Sequence, residues 1–162
     1  MNDLRAVGIS KQPLYLKVAL GLTLVLGLFP VLARVADVVG VLRTGLPTDH
    51  TAAFAAVSGM MWAAVRSTGP GVYVSLLEIG YAVHELVFGL LFLVIVAIPF
   101  RKGEPWAWWT CWIVLIADVG YSLTFGRYDP TLLRQSLIAD IALPVLLLIQ
   151  LRRFFPRRPA VA

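Results

Sequence analysis

Four apolar runs, at residues 15–35, 74–100, 106–125 and 131–151, govern what this chain can become. About 20 helical residues cross about 30 Å of hydrocarbon, and each run meets that length. Charged residues fill only 14% of the 162 positions, against 59% apolar. A soluble domain carries about 25% charged residues, so the chain reads as embedded in a membrane rather than as a water-soluble monomer. The expected fold class is all-α: a polytopic membrane protein, a four-transmembrane-helix bundle forming one membrane domain over residues 1–162. The first run follows a weakly basic start, as a secretory signal does. It is longer than the apolar core of such a signal and no small-residue cleavage site follows it, so it reads as a membrane helix.

The basic residues orient these spans. Arg5, Lys11 and Lys17 precede or open the first, Arg101 and Lys102 link the second to the third, and Arg152, Arg153, Arg157 and Arg158 fill the tail at 152–162. That places nine of the fourteen basic residues on one side. Arg34, Arg43, Arg66, Arg127 and Arg134 are spread over a longer stretch on the other. The positive-inside rule then predicts a protein integral to the cytoplasmic membrane, with both termini cytoplasmic and the long loop at 36–73 facing outward. The net charge of +5 serves topology on this account, so no nucleic-acid partner is expected. Contact of the basic tail with anionic lipid is a weaker expectation.

Punctuation between the runs supports the same boundaries. Gly103 and Pro105 predict a tight turn before the third span, and Trp106, Trp108, Trp109 and Trp112 crowd its start as interfacial anchors. Asp129, Pro130 and Thr131 predict the next turn, with Asp129 or Thr131 as helix cap. Within the long loop, Phe54, Val57, Met61 and Val65 recur at helical spacing. They predict an interfacial lid helix over 50–65, closed by Ser67, Thr68, Gly69, Pro70 and Gly71; the alternative is a plain solvated loop. His50 is expected to be a surface residue of that loop.

The informative residues are those that hydrocarbon excludes. The second span carries Glu78, Tyr81, His84 and Glu85, the third Asp118 and Tyr121, and the fourth Asp140. A charged side chain near the bilayer centre costs about 2.5 to 3.5 kcal/mol even on the gentler insertion scale, so these groups are not expected to face lipid. Glu78 and Glu85 lie about 20° apart on the helical wheel with Tyr81 on the same face, while His84 lies about 120° from Glu78, at the edge of the stripe. Asp118 shares a face with Tyr121 and Ser122, and Asp140 has Ser136 one turn before it and Pro144 one turn after. At about 1.5 Å per residue, all of these fall in the outer half of the bilayer, where Arg34 and Asp37 close the first span as an i, i+3 pair. They predict an outward-facing polar pocket with Arg34 as its balancing cation.

The pocket admits three readings. Its groups can simply hydrogen-bond one another to hold the helices together. They can bind a membrane lipid or an isoprenoid-like small molecule, with Glu78, Tyr81, Tyr121 and Arg34 as ligand contacts. They can also transfer protons, since clustered carboxyls in low dielectric cannot all ionise: Asp118 or Glu85 would act as acid and His84 or Asp140 as base, in an isomerase or cyclase that needs no cofactor. A role as accessory subunit, a homo-oligomer and a membrane-protein partner stay open. No cofactor or metal is expected, because Cys111 is the single cysteine and no Cys/His spacing matches a zinc site. Glu78, His84, Glu85 and Asp118 are too irregularly spaced to argue for a metal.

The run PFRKGEPWAWW at 99–109 and the ending LRRFF at 151–155 resemble small four-helix membrane proteins of actinobacteria and related prokaryotes. In that group a basic-Gly-Glu-aromatic turn leads into the third span and an Arg-Phe-Phe signature closes the fourth. The resemblance implies a four-span architecture and an actinobacterial-type source, and no activity. In architecture alone, the polar pocket is similar to that of emopamil-binding-protein-type sterol isomerases, where His and Glu side chains in a membrane-embedded helical pocket move protons on a lipid.

Overall fold

A computed structural model describes residues 13–156, all of whose regular structure is helical. Arg5, Lys11, Arg157 and Arg158, used above for orientation, lie outside the described residues. The first helix, α1 (Leu14–Thr44), runs nine residues past the predicted end of the first span. Arg34 and Asp37 therefore sit inside the helix instead of closing it, and their i, i+3 ion pair lets the helix continue. Gly45 ends it at φ 81°, donating to the Val41 carbonyl, and Trp62 Nε1 donates to the exposed Thr44 carbonyl at 2.8 Å.

The predicted single helix over 50–65 is two. Helix α2 (His50–Ser58) stops where Gly59 takes φ 69°, and α3 (Trp62–Val65) packs back so that Phe54 and Trp62 meet edge to face at 5.1 Å. The next helix, α4 (Gly69–Ile95), begins five residues before its predicted start. Thr68 Oγ1 caps it by accepting from Gly71 N, and Pro70 occupies the first turn, where a missing N–H is harmless. A π-helical turn, Val96–Phe100, extends α4; Pro99 lies within it and forces the widening, because it has no N–H and its ring crowds the carbonyl four residues back.

After the turn at Gly103 (φ 79°) comes α5 (Pro105–Gly126). Asp129 Oδ1 accepts from Thr131 N at 2.8 Å and starts α6 (Pro130–Ile149), which is followed by the short α7 (Leu151–Phe154). Helix α1 pairs chiefly with α4, and α5 with α6, while α6 also packs on α1. Gly27 opposite Leu93, and Gly89 opposite Pro30 and Val31, let the α1 and α4 backbones approach closely.

Among the described residues three stretches are long and apolar enough to cross a membrane: Leu14–Thr44, Gly69–Phe100 and Pro105–Gly126. Large apolar side chains also cover the outside of the bundle, among them Leu22, Phe29, Leu76, Ile116 and Ile138. That surface suits lipid. The core gathers at the end carrying the termini, around Phe92, Val96, Phe100, Cys111, Leu147 and Phe154. Trp108 belongs to it, with Nε1 donating to the Leu147 carbonyl at 3.0 Å, so it is not the interfacial anchor expected; Trp106 and Trp109 are exposed.

Candidate functional site

The half of the bundle beneath α2 is held together by polar groups. Arg34 on α1 donates from Nη1 to Asp37 Oδ2 at 2.7 Å and holds its Nε 3.6 Å from Glu85 Oε2 on α4. Its guanidinium also lies 5.2 Å from the centre of the Tyr121 ring on α5, within cation–π range. Tyr121 stacks against Tyr81 at 6.4 Å. One cation thus joins residues of three helices.

Arg34, Glu85 and Asp118 line a small cavity of about 60 Å³, whose other walls include Phe29, Phe88, Phe92 and Leu143. That is room for a few waters or one polar head group, and far below the several hundred Å³ of a site enclosing a whole drug-sized ligand. The Asp118 carboxyl on α5 neighbours that of Asp140 on α6, and Asp140 Oδ1 is buried without a partner. Two prolines add to the polarity here. Pro30 and Pro144 have no N–H for the carbonyls four residues earlier, which are those of Leu26, a cavity residue, and of Asp140 itself.

Above this layer sits His50, which the sequence placed on a loop surface and the structure buries at 4% exposure. It is the first residue of α2 and faces down between α4 and α5. Nδ1 lies 3.0 Å from Glu78 Oε2 and Nε2 lies 2.9 Å from the Tyr121 hydroxyl, while the ring stacks on Phe125 at 5.2 Å. A carboxylate only accepts, so Nδ1 carries the proton and donates to Glu78. In the neutral ring Nε2 accepts from Tyr121 O–H; in the charged ring it donates. Burial acts to lower the His50 pKa, but the hydrogen bond to Glu78 and the fields of Glu78, Asp49 and Asp37 outweigh it and raise the imidazole above its ordinary value.

The structure therefore brings together Arg34, Glu78, Tyr81, Glu85, Asp118, Tyr121 and Asp140. His84 is separate: it lies on the exposed side of α4, where a position six residues after Glu78 falls once the helix packs with Glu78 and Glu85 inward. His50 is the member that sequence reasoning missed, while Asp37 pairs with Arg34 as its i, i+3 spacing led one to expect. A signal for His50 was present, since Glu78 is a carboxylate at the level of the long loop and needs a donor from it. Among the described residues no group of three or more His, Cys, Asp or Glu side chains is arranged to hold a metal ion.

No protein-family model matches this chain, and neither a curated protein nor a solved structure matches it.

Proposed function

We propose that this protein is a four-span membrane protein that binds an amphipathic, lipid-like molecule by its polar end. The carrying observation is the cavity in which Arg34, Glu85 and Asp118 meet apolar walls. Its volume accepts a hydroxyl or amine head group and no more, so an isoprenoid- or sterol-like tail would leave past Phe29 and Phe88, both exposed at the bundle surface, into surrounding lipid. Arg34 and Glu85 offer a donor and an acceptor to such a head group, and the unpartnered Asp140 oxygen lies close by. In this proposal α6 is the fourth span: its 20 residues cover about 30 Å. Lys17, Arg101, Lys102, Arg152 and Arg153 favour cytoplasmic termini, which turns α2 and the pocket outward.

One observation favours a second reading, proton transfer on the bound molecule. The Asp118 and Asp140 carboxyls are neighbours and an Asp140 oxygen is buried without a partner, an arrangement suited to one carboxyl delivering a proton and the other receiving one. His84 has no place in that step, because it faces away from the pair.

Mass spectrometry of the small molecules that stay with the protein in mild detergent tests the proposal, with Asp118→Asn as the comparison. A defined isoprenoid or sterol-like alcohol or amine on the native protein, reduced in the variant, supports binding. A chemically different species on the variant supports turnover. Bulk phospholipid alone on both proteins overturns the proposal and leaves the polar groups as helix-packing contacts.

A further inference from the structure

At the end carrying the termini, the first turns of α1, the last turns of α6 and the start of α7 line an open groove of about 980 Å³. Leu14, Val18 and Leu22 form one wall, and Leu146, Ile149 and Leu151 the other. Water finds no partners on such walls, and an empty groove forfeits the dispersion contacts of every atom lining it. Its apolar walls match a flexible acyl chain.

The lining contains one cation, Arg152, together with the exposed phenol of Tyr15. Among the described residues no carboxylate makes an ion pair with Arg101, Arg152 or Arg153. Arg153 donates from Nη2 to the Arg101 carbonyl, and its Nη1 is buried without an acceptor. Burial and the neighbouring charge of Arg101 lower its pKa. An apolar partner helix lying in the groove would leave that charge unanswered, whereas a phosphate answers it.

We infer that the groove binds one anionic phospholipid, with an acyl chain between α1 and α6 and its phosphate held by Arg152. The site is distinct from the polar pocket and belongs to the leaflet at the chain termini. Native mass spectrometry of the full chain tests it, with phosphatidylglycerol and phosphatidylcholine of identical acyl chains as probes and glycerol 3-phosphate as the phosphate without chains. One phosphatidylglycerol should bind about fivefold more tightly than phosphatidylcholine, the preference expected of a single interfacial cation. Arg152→Gln should abolish the preference while keeping the weaker binding, and Leu22→Trp, which fills the groove, should weaken both lipids.

Equal affinity of the two lipids for the native chain overturns the inference. So does a preference that survives Arg152→Gln, or displacement of lipid by glycerol 3-phosphate. Loss of preference in Arg101→Gln with Arg152→Gln unaffected moves the phosphate to the Arg101–Arg153 side and also overturns it. A dimer that excludes lipid and disappears in Leu22→Trp assigns the groove to a second copy of the chain instead. Arg152 is exposed, so its variant decides the matter even if Leu22→Trp does not fold.

Discussion

At the end carrying the termini, α4, α5 and α6 meet through Phe92, Phe100, Cys111 and Leu147, and one hydrogen bond, Gln150 Nε2 to Thr23 Oγ1, crosses from the residue after α6 to α1. At the end beneath α2 the same helices meet through Arg34, Glu78, Glu85, Asp118, Tyr121 and Asp140, with His50 wedged between two of them. Lipid outside both ends is equally apolar, so solvent does not explain the contrast. Helix association in a bilayer needs only close packing and a few polar contacts. The first end satisfies that requirement, and the second carries far more ionisable groups than assembly needs. Apolar packing and ionisable groups are therefore spatially divided, and substitutions at the two ends should fail in different ways.

The largest loss of stability is expected at the apolar end. Phe100 is completely buried and packs on Phe154 at a ring separation of 4.6 Å. Phe100→Ala opens a cavity that its neighbours cannot close, a destabilisation of about 3 to 4 kcal/mol. Thermal unfolding in detergent should show it, with ligand retention per folded molecule unchanged. A Phe100→Ala protein as stable as the native one would remove the apolar end as the seat of stability.

His50→Ala should come next, at about 2 kcal/mol, because it strands the Glu78 carboxylate and the Tyr121 hydroxyl together. Its signature is local. Protease cleavage within 46–68 should accelerate more than global unfolding does, since α2 loses what ties it to α4 and α5. Equal acceleration everywhere would mean that His50 supports the whole bundle.

The contrast between the ends was only partly written in the local sequence. Glu78, Tyr81 and Glu85 share a face by helical period alone, as do Asp118 and Tyr121, and any packing that hides one of each set hides the rest. For His50 the signal was only indirect: Glu78 called for a donor from the loop, but which residue supplies it is decided by where α2 folds back, after Gly45 and Gly59 have each turned the chain through positive φ. The length of α1 was hidden because hydropathy reports affinity for hydrocarbon and not helicity. The Arg34–Asp37 pair ends the apolar run without ending the helix. Trp108 was misplaced because interfacial preference describes an average tryptophan, whereas this one points inward and finds the Leu147 carbonyl.

Asp140→Asn sharpens the comparison with a smaller effect on the fold. The amide keeps the shape and supplies its own donor toward Asp118, so stability should change by about 1 kcal/mol or less, near the average for polar contacts between membrane helices. If the proposed pocket binds a small molecule, its retention should fall all the same, because the unpartnered Asp140 carboxylate oxygen is replaced. A variant that keeps its ligand at native levels would show that the carboxyl pair serves packing alone.

The smallest effect expected is on pH, and its sign follows from His50. Its folded-state pKa is raised above that of the unfolded chain, about 6.5, so the folded protein holds the imidazole proton more tightly. The resulting stabilisation is complete below about pH 6.5 and fades as the pH rises through the folded-state pKa, where the charge facing Glu78 is lost. Native protein should therefore lose thermal stability between pH 6 and 9 relative to His50→Gln, which keeps hydrogen-bonding groups near Glu78 and Tyr121 without a titratable charge. The loss should be less than His50→Ala produces at one pH, since neutral imidazole still donates to Glu78 and still accepts from Tyr121. Curves for the native protein and His50→Gln that run parallel across this range would show that the link between α2 and the polar end does not depend on charge, and that shape and hydrogen bonding alone hold the lid in place.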